Sequence, residues 1–128
     1  LNIRLGIGRT RGAMDLTENR NGSVVTLGAS GRIDHQTADA FQQALDPYLG
    51  DCKEGGDKLV LDFSDVNYVS SVGLRVLLMA SKKTKAQKGQ ICVAGMQPTV
   101  GEVFRISRFD TILPAYDTVD DAVAAFSS

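Results

Sequence analysis

One stretch limits what this chain can become: Leu59–Met79, LVLDFSDVNYVSSVGLRVLLM. Its first five residues, Leu59 to Phe63, are nearly all apolar, the mark of a strand covered on both faces as in a parallel sheet. Ser64-Asp65-Val66-Asn67 is polar and reads as a turn. The pattern then changes period: from Ser71 onward Val72, Val76, Leu77, Met79 and Ala80 give a helical apolar stripe. A buried strand running into an amphipathic helix is half of a β-α-β unit, so further parallel strands must follow. Two adjacent serines, Ser70 and Ser71, stand where the helix starts, which presents a hydroxyl at the rim of the sheet.

The flanking sequence supplies the remaining elements. Met14–Arg20 and the β-branched run Ser23–Ala29 read as two strands joined through Asn21-Gly22, a hairpin signal. Gly31-Arg32-Ile33-Asp34 ends the second strand. His35–Leu49 places Ala38, Phe41, Leu45 and Leu49 at helical spacing, with Asp34 as the expected N-cap. Pro47 should end or kink that helix near Asp46. Gly50–Asp57 is a polar, glycine-rich loop. Lys82, Lys83, Lys85 and Lys88 suit the negative end of the central helix over Ser71–Thr84, and Gly89 is its expected stop. Gln90–Ala94 is a strand, and Pro98 opens a short helix over Thr99–Ser107 that puts Val100, Val103, Phe104 and Ile106 near one side. Ile112–Ala115 is the last strand and Asp117–Phe126 the last helix, capped by Asp117 or Thr118. The expected fold is a single α/β domain with a mixed, mostly parallel sheet of about five strands and about four helices.

Composition narrows the function classes. The 128 residues, 43% of them hydrophobic, suffice for one domain with its own core. A net charge of −1, from 14 basic and 15 acidic residues, gives no footprint for nucleic acid or for anionic lipid. Cys52 and Cys92 form no metal-spaced cluster and read as unpaired thiols. The longest unbroken apolar run, Val76–Ala80, is far too short to insert in a membrane, so a cytoplasmic protein is expected. Residues 1–13 differ from the rest: Arg4, Arg9 and Arg11 with no acidic residue, and glycines that miss the GxGxxG spacing by one position. They read as a leader, with the domain over 14–128 and Met14 as a native start.

Several roles are open to the serines. A nucleophilic serine needs a base and an orienting group, yet the chain has one histidine, His35, and SSVGL is not the GxSxG elbow. No catalytic residue is therefore assigned, and an enzyme is not expected. A hydroxyl at a helix start can cap the unpaired N–H groups there. It can also carry a phosphate, which the positive end of the helix dipole tolerates and which adds about two negative charges. Arg75, one turn after Ser71, suits a phosphate or an acidic partner group, or is a solvated side chain. Asp34, Asp62 and Asp65 lack metal-ligand spacing.

Three segments, GRIDHQTADAF at Gly31–Phe41, LVLDFSDVNYVSSVGLRVLL at Leu59–Leu78 and the tail from Val100, resemble the STAS domain family, particularly bacterial anti-sigma-factor antagonists. The resemblance spans most of residues 14–127. It implies a partner-switching regulator that binds an anti-sigma factor, usually also a serine protein kinase, and so frees the sigma factor. Phosphorylation of a serine at the helix start breaks that complex, and a serine phosphatase restores it. By motif position the target is Ser71, with Ser70 second. Asp34, Ser70, Ser71, Gly73 and Arg75 are the implied partner-binding residues. ATP and magnesium belong to the kinase, so this chain needs no cofactor or metal, no direct nucleic-acid contact and no membrane insertion. Ser70 stands where many relatives have aspartate, and Val72 where some have a second serine. The family also allows another role, as a ligand sensor or a soluble subunit of a lipid or anion transport complex.

Overall fold

The hairpin forms where Asn21-Gly22 predicts it. In the computed structural model, which describes residues 16–127, β1 (Thr17–Asn21) and β2 (Val24–Ile33) pair antiparallel from Thr17↔Gly28 to Asn21↔Val24. Gly22 takes φ +66° at the first of the two loop positions, a conformation that favours glycine. The leader 1–13 and its expected boundary, with Met14 of the first expected strand, lie outside the described residues.

There follow α1 (Ala38–Asp51), β3 (Lys58–Val69), α2 (Ser71–Ala86), β4 (Gln90–Ala94) and α3 (Pro98–Ile106). A 3-10 turn (Phe109–Thr111), β5 (Ala115–Tyr116) and α4 (Val119–Ser127) complete the described chain. The sheet order is β1-β2-β3-β4-β5, with every pair after the hairpin parallel. Each parallel crossover steps the same way along the sheet, so right-handed connections place α1, α2 and α3 on one face. Helix α4 follows the last strand and returns on the other face. The pleat sorts the core accordingly. Val25, Leu27, Leu59, Leu61, Phe63, Ile91 and Val93 meet Phe41, Leu45, Leu77 and Phe104 on one side. Val24, Val60, Cys92 and Ala94 meet Ala122 and Phe126 on the other. Covering both faces explains why these strands are apolar at successive positions. Cys52 and Cys92 are buried in different cores and unpaired. Burial pushes the Cys92 thiol up to about 12, which makes it inert.

The largest departure from expectation is Ser64–Asn67, which is strand and not turn. β3 runs on to Val69 beside β2, with Ser30↔Asp65, Gly31↔Val66, Arg32↔Tyr68 and Ile33↔Val69 in register after two irregularities. Val66 and Val69 are buried, while Ser64, Asp65, Asn67 and Tyr68 are exposed. The bulges stretch the inward period from two to three, which hides the strand in the sequence. Among the described residues β1 and β4 pair with β2 and β3 only as far as Gly28 and Asp62. Beyond that line β2 and β3 project as a two-stranded ribbon ending at Ile33 and Val69.

Smaller departures have local causes. Helix α1 passes through Pro47 to Asp51; the carbonyl deprived of a donor belongs to Gln43, which is exposed to water. The buried side of α2 is Gly73, Val76, Leu77, Ala80, Ser81 and Thr84, leaving Val72 and Met79 exposed. The two buried hydroxyls are satisfied, Ser81 donating to the Ile112 carbonyl and Thr84 to that of Ala80. After α2 the positive φ falls on Lys88 and not on Gly89. Gly89 is required for another reason, since a Cβ there would run into the Cys52 carbonyl. In α3, Val100 and Phe104 face the core, and Ile106 is exposed. The last strand shrinks to Ala115–Tyr116 because Pro114 has no N–H to extend the ladder; fully buried Leu113 supplied the apolar signal before it. Thr118 caps α4, its hydroxyl accepting from the Asp121 N–H at 3.0 Å.

Candidate functional site

The end of the ribbon is where α2 begins. The Ser70 N–H donates to the Ile33 carbonyl at 2.8 Å, tying the end of β2 to the start of α2. Ser70 has extended backbone, and its Oγ accepts from the Gly73 N–H at 3.2 Å. Its carbonyl takes the first helical bond, from the Leu74 N–H at 2.9 Å. These are the marks of an N-cap, and they settle which serine has that role. Ser71 is the first residue of the 16-residue helix and is exposed. Its hydroxyl is not used by the cap, and it lies beside N–H groups that have no partner within the helix. Ser70→Ala should therefore lose about 1 kcal/mol in urea unfolding, and Ser71→Ala no more than about 0.5 kcal/mol. Equal losses would contradict this division of roles.

Gly73 lets α2 approach the ribbon. A Cβ at this position would lie 2.7 Å from the Ile33 carbonyl oxygen, 2.8 Å from Ile33 Cγ2 and 3.1 Å from Val69 Cγ1. Gly73 is buried, so it positions the rim and offers no surface of its own.

Asp34 lies next to this junction, but not as the cap of α1. The helix starts at Ala38, and the preceding Thr37 makes no side-chain cap. Asp34 Oδ1 instead accepts from the Gln36 N–H at 3.0 Å, and its carbonyl accepts from the Thr37 and Ala38 N–H groups. It builds the turn that leads into the helix, a role that looks the same as an N-cap in sequence. The Gln36 N–H and, after it, the Arg32 guanidinium hold the Asp34 carboxyl below the usual carboxylate range, so it is charged at neutral pH.

Arg32 and Tyr68 carry no local signal in the sequence. Arg32 Nε donates to Asp34 Oδ2 at 3.2 Å, and its guanidinium carbon lies 4.2 Å from the Tyr68 ring centroid. The signal that pairs them is their register across β2 and β3, invisible while Ser64–Asn67 reads as a turn. Arg75 is exposed one turn after Ser71 and makes no ion pair among the described residues. Val72 at 40% and Met79 at 52% exposure share the outer side of α2 with it. His35 is exposed in the turn after Asp34, with no hydrogen bond to either serine among the described residues. Nor do three or more metal-ligating side chains cluster among them. The arrangement can present a hydroxyl, three charged side chains and an apolar fringe to a docking protein.

Residues 15–122 match the STAS domain, and the chain belongs to that family. It is 30% identical to BtrV of Bordetella bronchiseptica, named as an anti-sigma factor antagonist, over 90% of this chain and 97% of that one. It is 26% identical to an anti-sigma F factor antagonist of Paenibacillus polymyxa over 86% of this chain and 91% of that one. The crystal structure of an anti-sigma factor antagonist from Mycobacterium paratuberculosis superposes with a TM-score of 0.80 at 27% identity, covering 93% of this chain and 98% of that one. These relatives carry the names of regulators. No helix among the described residues is long and apolar enough to cross a membrane.

Proposed function

We propose that this chain is an anti-sigma-factor antagonist working by partner switching. With Ser71 unmodified, it binds an anti-sigma factor through Asp34, Ser71, Arg75 and their exposed neighbours. Phosphate on Ser71 ends the complex, and a serine phosphatase restores it. The kinase activity, with its ATP and magnesium, lies in the anti-sigma factor. This chain acts in the cytoplasm as substrate and binding partner, with no catalytic step of its own.

The observation that carries this reading is the division of labour between the serines. Ser70 is spent on the helix and Ser71 is not. A phosphate on Ser71 meets the positive end of α2, so the fold tolerates it. The same roughly two charges would have to be desolvated beneath a partner seated over the start of α2, and that undoes docking.

The test is pull-down from the source cells with tagged wild-type chain, then incubation with the anti-sigma factor it retains and ATP. Mass mapping should find phosphate on Ser71 and none on Ser71→Ala. Modification of Ser70, or no transfer at all, would sink the switch. Retention of a membrane transport complex in place of an anti-sigma factor would support the transport-subunit role.

A further inference from the structure

Arg32 is held at two points, and its fork is left open. Nε donates to Asp34 Oδ2 at 3.2 Å, and the guanidinium stacks on Tyr68 with its carbon 4.2 Å from the ring centroid. These supports are themselves fixed. Asp34 takes the Gln36 N–H at 3.0 Å, and Thr37 Oγ1 donates to the Arg32 carbonyl at 2.8 Å. Yet the Arg32 side chain stays 59% exposed, and its two terminal nitrogens donate to no described residue. An arginine already held loses less freedom for each bond it forms on docking.

The fold also gives its direction. Ile33, the next residue, is fully buried under the helices. Successive strand residues face opposite ways. Arg32 and its cross-strand neighbour Tyr68 therefore look out from the sheet face opposite α1 and α2. Helix α4 covers that face at Val24, Val60, Cys92 and Ala94, toward the other end of the strands. Arg32 thus stands on the ribbon face opposite α2, with its fork open to solvent.

We infer that Arg32 is a specificity contact of the docking surface: backed by Tyr68, it receives a carboxylate side chain of the anti-sigma factor on its two terminal nitrogens. This deepens the partner-switching reading and rests on it. Asp34 occupies only the Nε edge of the guanidinium, and the end-on edge matches a carboxylate in plane. Arginine and tyrosine are also the side chains on which interface energy concentrates. An anti-sigma factor with a basic residue at that point is repelled, which sorts related antagonists among related partners.

The probe is the anti-sigma factor retained by the wild-type chain, purified and titrated by calorimetry at about 50 mM and about 300 mM salt. Arg32→Ala should bind about tenfold more weakly at low salt, with the gap narrowing at high salt. Arg32→Lys should recover only part of the loss, because an ammonium does not span both carboxylate oxygens. Both variants should melt with the wild type. Binding by Arg32→Ala equal to wild type overturns the inference and leaves partner switching standing. A loss unchanged by salt, or full recovery by lysine, also overturns the bidentate carboxylate contact. A wild-type chain that retains no anti-sigma factor takes down both.

Discussion

Gly73→Ala should lower the melting temperature by roughly 6–12 °C, the equivalent of about 2 kcal/mol in a domain of this size. Two effects oppose each other here. Alanine in a helix interior is better than glycine by about 1 kcal/mol. Against it stands a methyl group placed 2.7 Å from the Ile33 carbonyl oxygen and 2.8 Å from Ile33 Cγ2. Relief requires several tenths of an ångström from a backbone carbonyl that already receives the Ser70 N–H, so it cannot come from a side-chain rotation. Helix α2 must move away from the ribbon, and that strains the bond linking Ser70 to β2. Overpacking of this kind outweighs the helix gain. Gly101 is the control: it lies within α3, and a Cβ there meets nothing within 4 Å. Gly101→Ala should leave the melt unchanged or raise it. A Gly73→Ala domain that melts at or above the wild type would show that the α2–ribbon approach is not tight.

Much of this arrangement could be read from local pattern. Strand β4 falls on the residues where its apolar run predicts it, and the helix start at Ser71 follows from a change of period. Local pattern fails where the deciding partner is distant in sequence. Ser64–Asn67 are strand because β2 lies beside them, and the bulges break the alternation that would show it. Val72 and Met79 fit a helical stripe as well as Leu77 does. Only the seating of α2 against the sheet and α1 decides which are buried. Gly89 looks like a helix stop in sequence, but its constraint is the Cys52 backbone across the loop. Ser70 and Ser71 could not be told apart as caps until the Gly73 N–H had a direction. Arg32 and Tyr68 are thirty-six positions apart and become neighbours only through strand register.

Ser71→Asp should weaken binding to the anti-sigma factor by at least about a hundredfold and leave the melting temperature within a few degrees of wild type. The fold is spared because an acidic residue in the first turn of a helix is favourable by about 0.3–1 kcal/mol, and Ser71 is exposed with no neighbour to displace. Binding is not spared. A hundredfold corresponds to about 2.7 kcal/mol, within the 2–5 kcal/mol that an unpaired charge costs when a partner strips its water. Ser70→Asp separates charge at the rim from charge at the site. Aspartate is a good N-cap, so it can accept from the Gly73 N–H as the serine does and remain folded back on the helix. That variant should keep both its stability and most of its affinity. If Ser70→Asp lost binding as completely as Ser71→Asp, general negative charge at this end of the sheet would be the operative variable, and the Ser71 hydroxyl would lose its special place. If Ser71→Asp bound as the wild type does, docking would have to use a surface away from the start of α2.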